Sequence, residues 1–182
     1  MSTSPLRLHG QHVALRDFTD ADDDAAHALV GDPAVTDHLS FAVKSKPQTA
    51  EMISGIVTRA GQVPRTEYYL AIELDHEVIG FGRLGLSGVQ AAKLGYAIRA
   101  DQWGRGYATD AVRALVSFAF RDLGLHRVSA AIGPENGASI GVVKRAGFTY
   151  EGRLRDHVHT NGAWRDSQLY SVLAHEWPAD PA

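Results

Sequence analysis

Cysteine is absent from the 182-residue chain, and methionine occurs only twice. The missing thiols exclude disulfides, cysteine nucleophiles and cysteine-ligated metal sites. No apolar run approaches the roughly 20 residues that a membrane-spanning helix needs, and the opening stretch MSTSPLRLHG lacks the apolar core of a signal peptide. These absences predict a soluble, cytoplasmic protein that does not insert into a membrane.

The chain also carries little net charge, −3, with charged residues at 21%. This balance argues against broad nucleic-acid binding, so no nucleic-acid partner is expected. The apolar share of 45% is that of an ordinary globular protein. The length predicts a single domain over residues 1–182, with fraying expected at residues 1–6 and 178–182.

The spacing of apolar residues predicts an α/β or α+β fold in which a mixed sheet carries helices on its faces. Two-residue turns are expected at Asp75–His76 and Asn161–Gly162, each between two strand-like runs. The expected strands are 12–18, 67–74, 77–86, 91–99, 126–133, 148–159 and 164–177, and the expected helices are 19–30, 47–60, about 107–123 and 136–146.

The stretch DQWGRGYATDAV, residues 101–112, places two glycines at the start of an amphipathic helix. A helix N-terminus offers free N–H groups and partial positive charge, and glycine lets backbone approach an anion, so the loop suits phosphate. A tight strand-to-helix turn without a ligand is the alternative. Neither a P-loop nor the dinucleotide pattern fits, because Gly106 is followed by Tyr107 and Ala108, and residue 109 is threonine.

Three segments in order resemble the GNAT N-acetyltransferases, most closely the RimJ/RimL type, and the resemblance runs from about Arg7 to Trp177. The first is the loop Trp103-Gly104-Arg105-Gly106-Tyr107-Ala108, in which Trp103 departs from the glutamine or arginine usual in the family. The others are NGASIGVVKRAGFTYEGRLRD and the closing GAWRDSQLYSVLAHEW. The resemblance implies a mostly antiparallel sheet of about seven strands, splayed between the fourth and the fifth.

The resemblance implies acetyl-CoA as cosubstrate and a primary amine as acceptor. By resemblance, pantetheine pairs with the backbone around Tyr96, Ala97 and Ile98, and N–H groups near Ala97–Ile98 meet the thioester oxygen. The pyrophosphate is expected on the loop and the first helical turn. The expected cofactor-binding residues are Tyr96, Ala97, Ile98, Trp103, Gly104, Arg105, Gly106, Tyr107, Ala108, Thr109, Asn136 and Ser139.

Ser139 is the predicted donor to the leaving thiolate, because the tyrosine that many GNAT enzymes use falls on Val143. The serine of the RimJ/RimL stretch Asn-x-x-Ser matches Ser139, and Asn136 is expected to contact the coenzyme. Both residues also suit the start of a helix for capping reasons alone.

The base that deprotonates the amine is left open. Many relatives carry glutamate where this chain has Lys93, and a lysine is a poor base that repels a cationic acceptor. Glu67 and His157 are the leading candidates, with Glu73, Asp156 and His159 as others. His157 and His159 share one face of a strand, but two residues without a third ligand predict no metal site.

The resemblance favours a peptide or protein N-terminal amine as acceptor and leaves small amines such as polyamines, amino sugars and amino-acid derivatives open. A non-catalytic acetyl-CoA-binding regulatory module is the other hypothesis, supported by Lys93 and by the missing tyrosine. Relatives of this type are often dimers, so a homodimer is also expected by resemblance.

Overall fold

The computed structural model describes residues 5–178 and contains one eight-stranded sheet with strand order β1-β2-β3-β4-β5-β6-β8-β7. The strands are β1 Arg7–His9, β2 Ala14–Asp17, β3 Glu67–Leu74, β4 Glu77–Leu86, β5 Ala91–Ile98, β6 Arg127–Ile132, β7 Thr149–Thr160 and β8 Ala163–Leu173. The α-helices are α1 Asp23–Val30, α2 Pro33–Thr36, α3 Lys46–Ala60, α4 Tyr107–Arg121 and α5 Gly137–Arg145.

The strands β5 and β6 form the parallel pair of the sheet, and the other neighbours are antiparallel. Their register covers Ala91 to Lys93 on β5 and Arg127 to Ser129 on β6, after which the two strands separate. The predicted splay between these strands is therefore confirmed. It leaves the second half of β5 without a paired strand on its β6 side.

Both predicted two-residue turns are present, and their backbone explains the sequence. Asp75 and His76 have φ of 48° and 68°, while Asn161 and Gly162 have φ of 52° and 75°. Two consecutive positive φ values are what a tight hairpin turn requires, because their twist matches that of the flanking strands. These turns pair β3 with β4 and β7 with β8.

The sequence reasoning missed two short elements, β1 and the single-turn helix α2. Three residues are too few to show a period, so β1 is held by its pairing with β2 rather than by its own pattern. Helix α2 begins at Pro33, three residues after the end of α1 at Val30, and is too short to show a helical period. Within the expected frayed ends, Leu6 is ordered and its N–H donates to Asp17 Oδ2 at 2.9 Å, while residues 1–4 and 179–182 lie outside the described range.

The sheet carries a separate apolar layer on each face. Helices α4 and α5 cover one face, where Leu84, Leu115 and Val128 are completely buried. Helices α1 to α3 cover part of the other face and pack around Ile53 and Phe81. Because side chains alternate along a strand, consecutive residues of β5 contribute to opposite layers.

Candidate active site

A cavity of about 550 Å³ opens where β5 leaves β6. It reaches elements on both faces of the sheet, because α5 belongs to one layer and the α2 region to the other. Its lining comprises Val35, His38, Leu39, Tyr96, Ala97, Ile98, Gln102, Trp103, Gly104, Gly106, Tyr107, Ala108, Thr109, Asn136, Gly137, Ala138, Ser139, Gly141, Val142 and Arg145. The splay therefore joins the two faces through one space.

The glycine loop forms one wall of this cavity, and both of its glycines have a left-handed backbone. Gly104 and Gly106 have φ of 75° and 84°, and Gly106 is the N-cap of α4. A Cβ built on either glycine meets no heavy atom within 4 Å, so both face open space. The N–H groups of the first turn of α4 lack partners within the helix and can serve an anion.

Trp103 uses its side chain to fix the entrance of the loop. Its indole Nε1 donates to the carbonyl oxygen of Ile98 at 2.7 Å, which joins the loop to the free end of β5. About half of the side chain remains exposed. The departure from the family residue at this position therefore leaves the backbone of the loop intact.

Ser139 and Tyr96 form a reciprocal pair across the cavity. Ser139 Oγ donates to Tyr96 Oη at 2.7 Å, and Tyr96 Oη donates to the Ser139 carbonyl oxygen at 2.9 Å. Burial raises the pKa of Tyr96 to about 12, against the opposing effect of its hydrogen bond with Ser139. The phenol is therefore neutral near pH 7 and keeps its proton for donation.

Asn136 is the N-cap of α5, as its residue type predicted. Its Oδ1 accepts from the N–H of Ser139 at 3.1 Å, which fixes the first turn of the helix beside β5. Val143, at the position of the tyrosine found in many relatives, is completely buried on this helix. The hydroxyl groups that reach the cavity from this region belong to Ser139 and to Tyr96 on β5.

A family model described as the acetyltransferase (GNAT) domain matches residues 12–149. The chain belongs to the GNAT acetyltransferases. The acetyltransferase is 28% identical over 173 residues to the uncharacterized N-acetyltransferase p20 of Bacillus licheniformis, covering 93% of this chain and 97% of the relative. It is 30% identical over 106 residues to the [ribosomal protein uS5]-alanine N-acetyltransferase of Escherichia coli, and this match covers 57% of this chain and 55% of the relative.

Among solved structures, RimJ of Mycobacterium smegmatis in complex with CoA-disulfide matches with a TM-score of 0.80 and 29% identity. The match covers 96% of this chain and 88% of the other. The expected fold and the resemblance to RimJ/RimL enzymes are thus confirmed. The protein is a GNAT N-acetyltransferase that takes its acetyl group from acetyl-CoA.

Two predicted base candidates lie outside the cavity lining. Glu67 receives hydrogen bonds from Arg83 Nε at 2.5 Å and Arg59 Nε at 3.0 Å. Burial alone would raise the pKa of Glu67, but these two arginines outweigh it and the pKa falls below its ordinary value. His157 lies on β7, where its Nδ1 is 3.0 Å from Ser167 Oγ. Glu67 and His157 as the base therefore stay predictions.

Arg105 is the one residue of the predicted cofactor set that does not line the cavity, and its side chain is exposed. The cavity also contains residues that sequence reasoning missed. His38 and Leu39 come from the segment after α2, and Arg145 comes from the last turn of α5, where its Nε lies 3.5 Å from Thr109 Oγ1. No motif marks these positions, because only the packing of the helices brings them to β5.

Two further observations concern the described chain. No helix within residues 5–178 is both long and apolar enough to cross a membrane. Within the same range, no three histidine, cysteine, aspartate or glutamate side chains are grouped as metal ligands would be.

Proposed function

We propose that the acetyltransferase moves the acetyl group of acetyl-CoA to the N-terminal amine of a peptide or protein. The observation that carries the proposal is the single cavity through the splay, which joins the glycine loop on one face to the α2 segment on the other. A donor can enter from the α4 and α5 side while an acceptor approaches from the α2 side. The name of the Escherichia coli relative, an alanine N-acetyltransferase of a ribosomal protein, supports a protein acceptor.

In this proposal the first turn of α4 holds the pyrophosphate through the N–H groups of residues 105–109. The pantetheine arm occupies the gap beside Tyr96–Ile98, where the backbone has no paired strand. Arg145 lines the same cavity and supplies a guanidinium for an anion. Asn136 holds the first turn of α5 against this arm.

The reaction is a direct transfer of the acetyl group from sulfur to nitrogen and needs no further reactant. The neutral amine nitrogen attacks the thioester carbonyl carbon, the new C–N bond forms, and the C–S bond breaks. The nitrogen loses one proton and the coenzyme sulfur gains one. N–H groups near Ala97–Ile98 stabilise the oxygen that becomes negative.

Ser139 is proposed as the hydrogen-bond donor to the departing thiolate, with Tyr96 as its partner. Hydroxyl hydrogens can rotate, so the 2.7 Å contact allows Tyr96 to donate to Ser139 Oγ while Ser139 donates to sulfur. The neutral state of Tyr96 makes this order of donation possible near pH 7. The pair thereby replaces the tyrosine that Val143 cannot provide.

His38 is proposed as the proton acceptor for the amine, since it lines the cavity at its α2 end and an imidazole suits this role. We expect His38→Ala to lower kcat by about 100-fold and added imidazole to restore part of the rate. His175→Ala changes an exposed histidine outside the cavity lining. This control variant should keep the wild-type kcat, and added imidazole should not change its rate. Unchanged turnover in His38→Ala would remove this assignment.

The function itself is tested by thermal melting with acetyl-CoA, followed by detection of free coenzyme A thiol with a panel of amines. We expect acetyl-CoA to raise the melting temperature and peptides with a free N-terminus to release thiol, with acetylation of the terminal amine confirmed by mass spectrometry. Turnover confined to polyamines or amino sugars would replace the peptide acceptor by a small molecule. Stabilisation without turnover of any amine would support a regulatory module.

A further inference from the structure

A row of residues on the α1–α3 face of the sheet leads away from the cavity along β4 and β5. Gly85 is in register with Glu67 on one side and with Lys93 on the other, and Arg83 is in register with Gly95. Residues in register share a face, and Lys93 and Gly95 lie on the same face as the cavity residue Ala97 by the alternation of β5. The row therefore adjoins the acceptor end of the cavity.

The row is cationic. The Arg83 guanidinium folds over Gly85, where a Cβ would lie 2.9 Å from Nη2 and 3.4 Å from Nη1. Its Nε contacts Glu67, and the same carboxylate also receives Arg59. The side chain of Lys93 is exposed and has no ion-pair or hydrogen-bond partner within residues 5–178. Two arginines thus share one carboxylate, and Lys93 adds a third cation to the row, in a chain whose overall charge is negative.

The floor of this row is open to an extended chain at Gly95. A Cβ on Gly95 would find only Arg83 Cβ at 3.9 Å, whereas Gly85 lies beneath the Arg83 guanidinium. At about 3.3 Å per residue, Gly95 lies about 7 Å from Ala97 along β5 and Lys93 about 13 Å. A peptide whose terminal amine reacts near Ala97 would bring the side chain of its second, third or fourth residue to the cations.

We infer that the acceptor is a peptide or protein N-terminus with an acidic side chain at one of residues two to four, bound by Arg83 and Lys93. The inference rests on the proposed function and adds the class of sequence that this site selects. Charge decides the selection: an acidic residue meets a row in which three cations outnumber one carboxylate, whereas a basic residue meets repulsion. The distance between Ala97 and the cations also excludes a free α-amino acid as acceptor. Its carboxylate lies too close to its amine to reach the cations while the amine reacts.

The test uses a series of C-terminally amidated peptides that carry glutamate, glutamine or lysine at residue three in a background of alanines, with companion series at residues two and four. For the wild-type enzyme we expect kcat/KM to be about fivefold higher with glutamate than with glutamine at the preferred position, and lowest with lysine. Raising the salt concentration should reduce the preference.

Lys93 is the residue to vary, because it has no partner whose loss would disturb the fold. Lys93→Gln should remove most of the preference for glutamate over glutamine, and Lys93→Glu should reverse it, each measured as a ratio of kcat/KM values within one variant. Lys144→Gln is the matched control, an exposed lysine on α5 that does not line the cavity.

Equal rates for the glutamate, glutamine and lysine peptides would overturn the inference and leave N-terminal acetylation standing. If Lys93→Glu still prefers the glutamate peptide, Lys93 does not bind the acidic side chain of the acceptor. If no peptide at all is acetylated although acetyl-CoA stabilises the enzyme, the proposed function fails first.

Discussion

Tyr96 and Ser139 form the pair of single side chains on which the proposed thiolate donor rests. One comes from β5 and the other from the first turn of α5, 43 residues later. Their contact is possible because Asn136 caps the helix and fixes the backbone of Ser139. Sequence motifs point to the serine, but its phenol partner is identified by the structure alone.

We expect Ser139→Ala to lower kcat by about 100-fold, because the departing thiolate loses its donor. Tyr96→Phe should lower kcat by about tenfold, since Ser139 remains but loses its hydrogen-bond partner. The protection by acetyl-CoA in thermal melting should persist in both variants. Ser54→Ala, an exposed serine on α3, is the control. Full activity in Ser139→Ala would refute the assigned role.

The loop before α4 is the element to which we assign donor binding, and its conformation depends on glycine. Gly106 has φ of 84° at the N-cap and opens onto the cavity. A side chain there would adopt a strained backbone and would also fill space beside the N–H groups. The element therefore needs glycine both for its conformation and for access by a phosphate.

A comparison of Gly106→Ala with Gly124→Ala separates the effect of backbone strain from the effect on access by a phosphate. Gly124 also has positive φ, at 61°, but it is exposed beyond the end of α4 and does not line the cavity. Both variants should lose about 1 kcal/mol of unfolding free energy from strain. Gly106→Ala alone should raise the KM for acetyl-CoA, by about tenfold. An equal KM in the two variants would argue against pyrophosphate on this loop.

At the scale of the whole molecule, a partly buried charge network ties the first strands to the sheet. Arg16 on β2 contacts Asp22 at 2.8 Å and Glu73 at 2.7 Å, and Arg7 on β1 contacts Glu73 at 2.7 Å. Hydrogen bonds from Arg16 and then from Arg7 hold the pKa of Glu73 below its ordinary value of 4.5. The network holds the short β1 in place.

Glu73 should therefore make stability depend on pH. Since its folded pKa is lowered, the carboxylate contributes stability above pH 4.5, and that contribution is lost as the pH falls through the folded pKa. Glu73→Gln should cost about 2 kcal/mol at pH 7 and less at acidic pH. Glu77→Gln, in an exposed pair with Arg99, should change stability by less than about 0.5 kcal/mol. Urea unfolding at both pH values measures these differences.

The homodimer remains a prediction at this scale. Strand β7 is at the edge of the sheet, so one of its sides has no paired strand among residues 5–178. Sedimentation of the purified enzyme with and without acetyl-CoA would determine its oligomeric state.

The sequence by itself determined the features that depend on neighbouring residues. The two hairpin turns follow from residues that tolerate positive φ, the long helices follow from their period, and the glycine loop follows from the conformation that it must adopt. These local rules, together with the family motifs, were enough to predict the fold and the splay, while the role of the glycine loop in binding the donor stays a prediction.

Only the tertiary structure decided which side chains meet across the cavity and the sheet. It placed His38 in the cavity, joined Tyr96 to Ser139, and enclosed Glu67 between two arginines. It also set Arg83 beside Lys93 through the register of β4 and β5. The physical reason is that these contacts join residues far apart in the chain, and their geometry is set by packing and register rather than by local conformational preference.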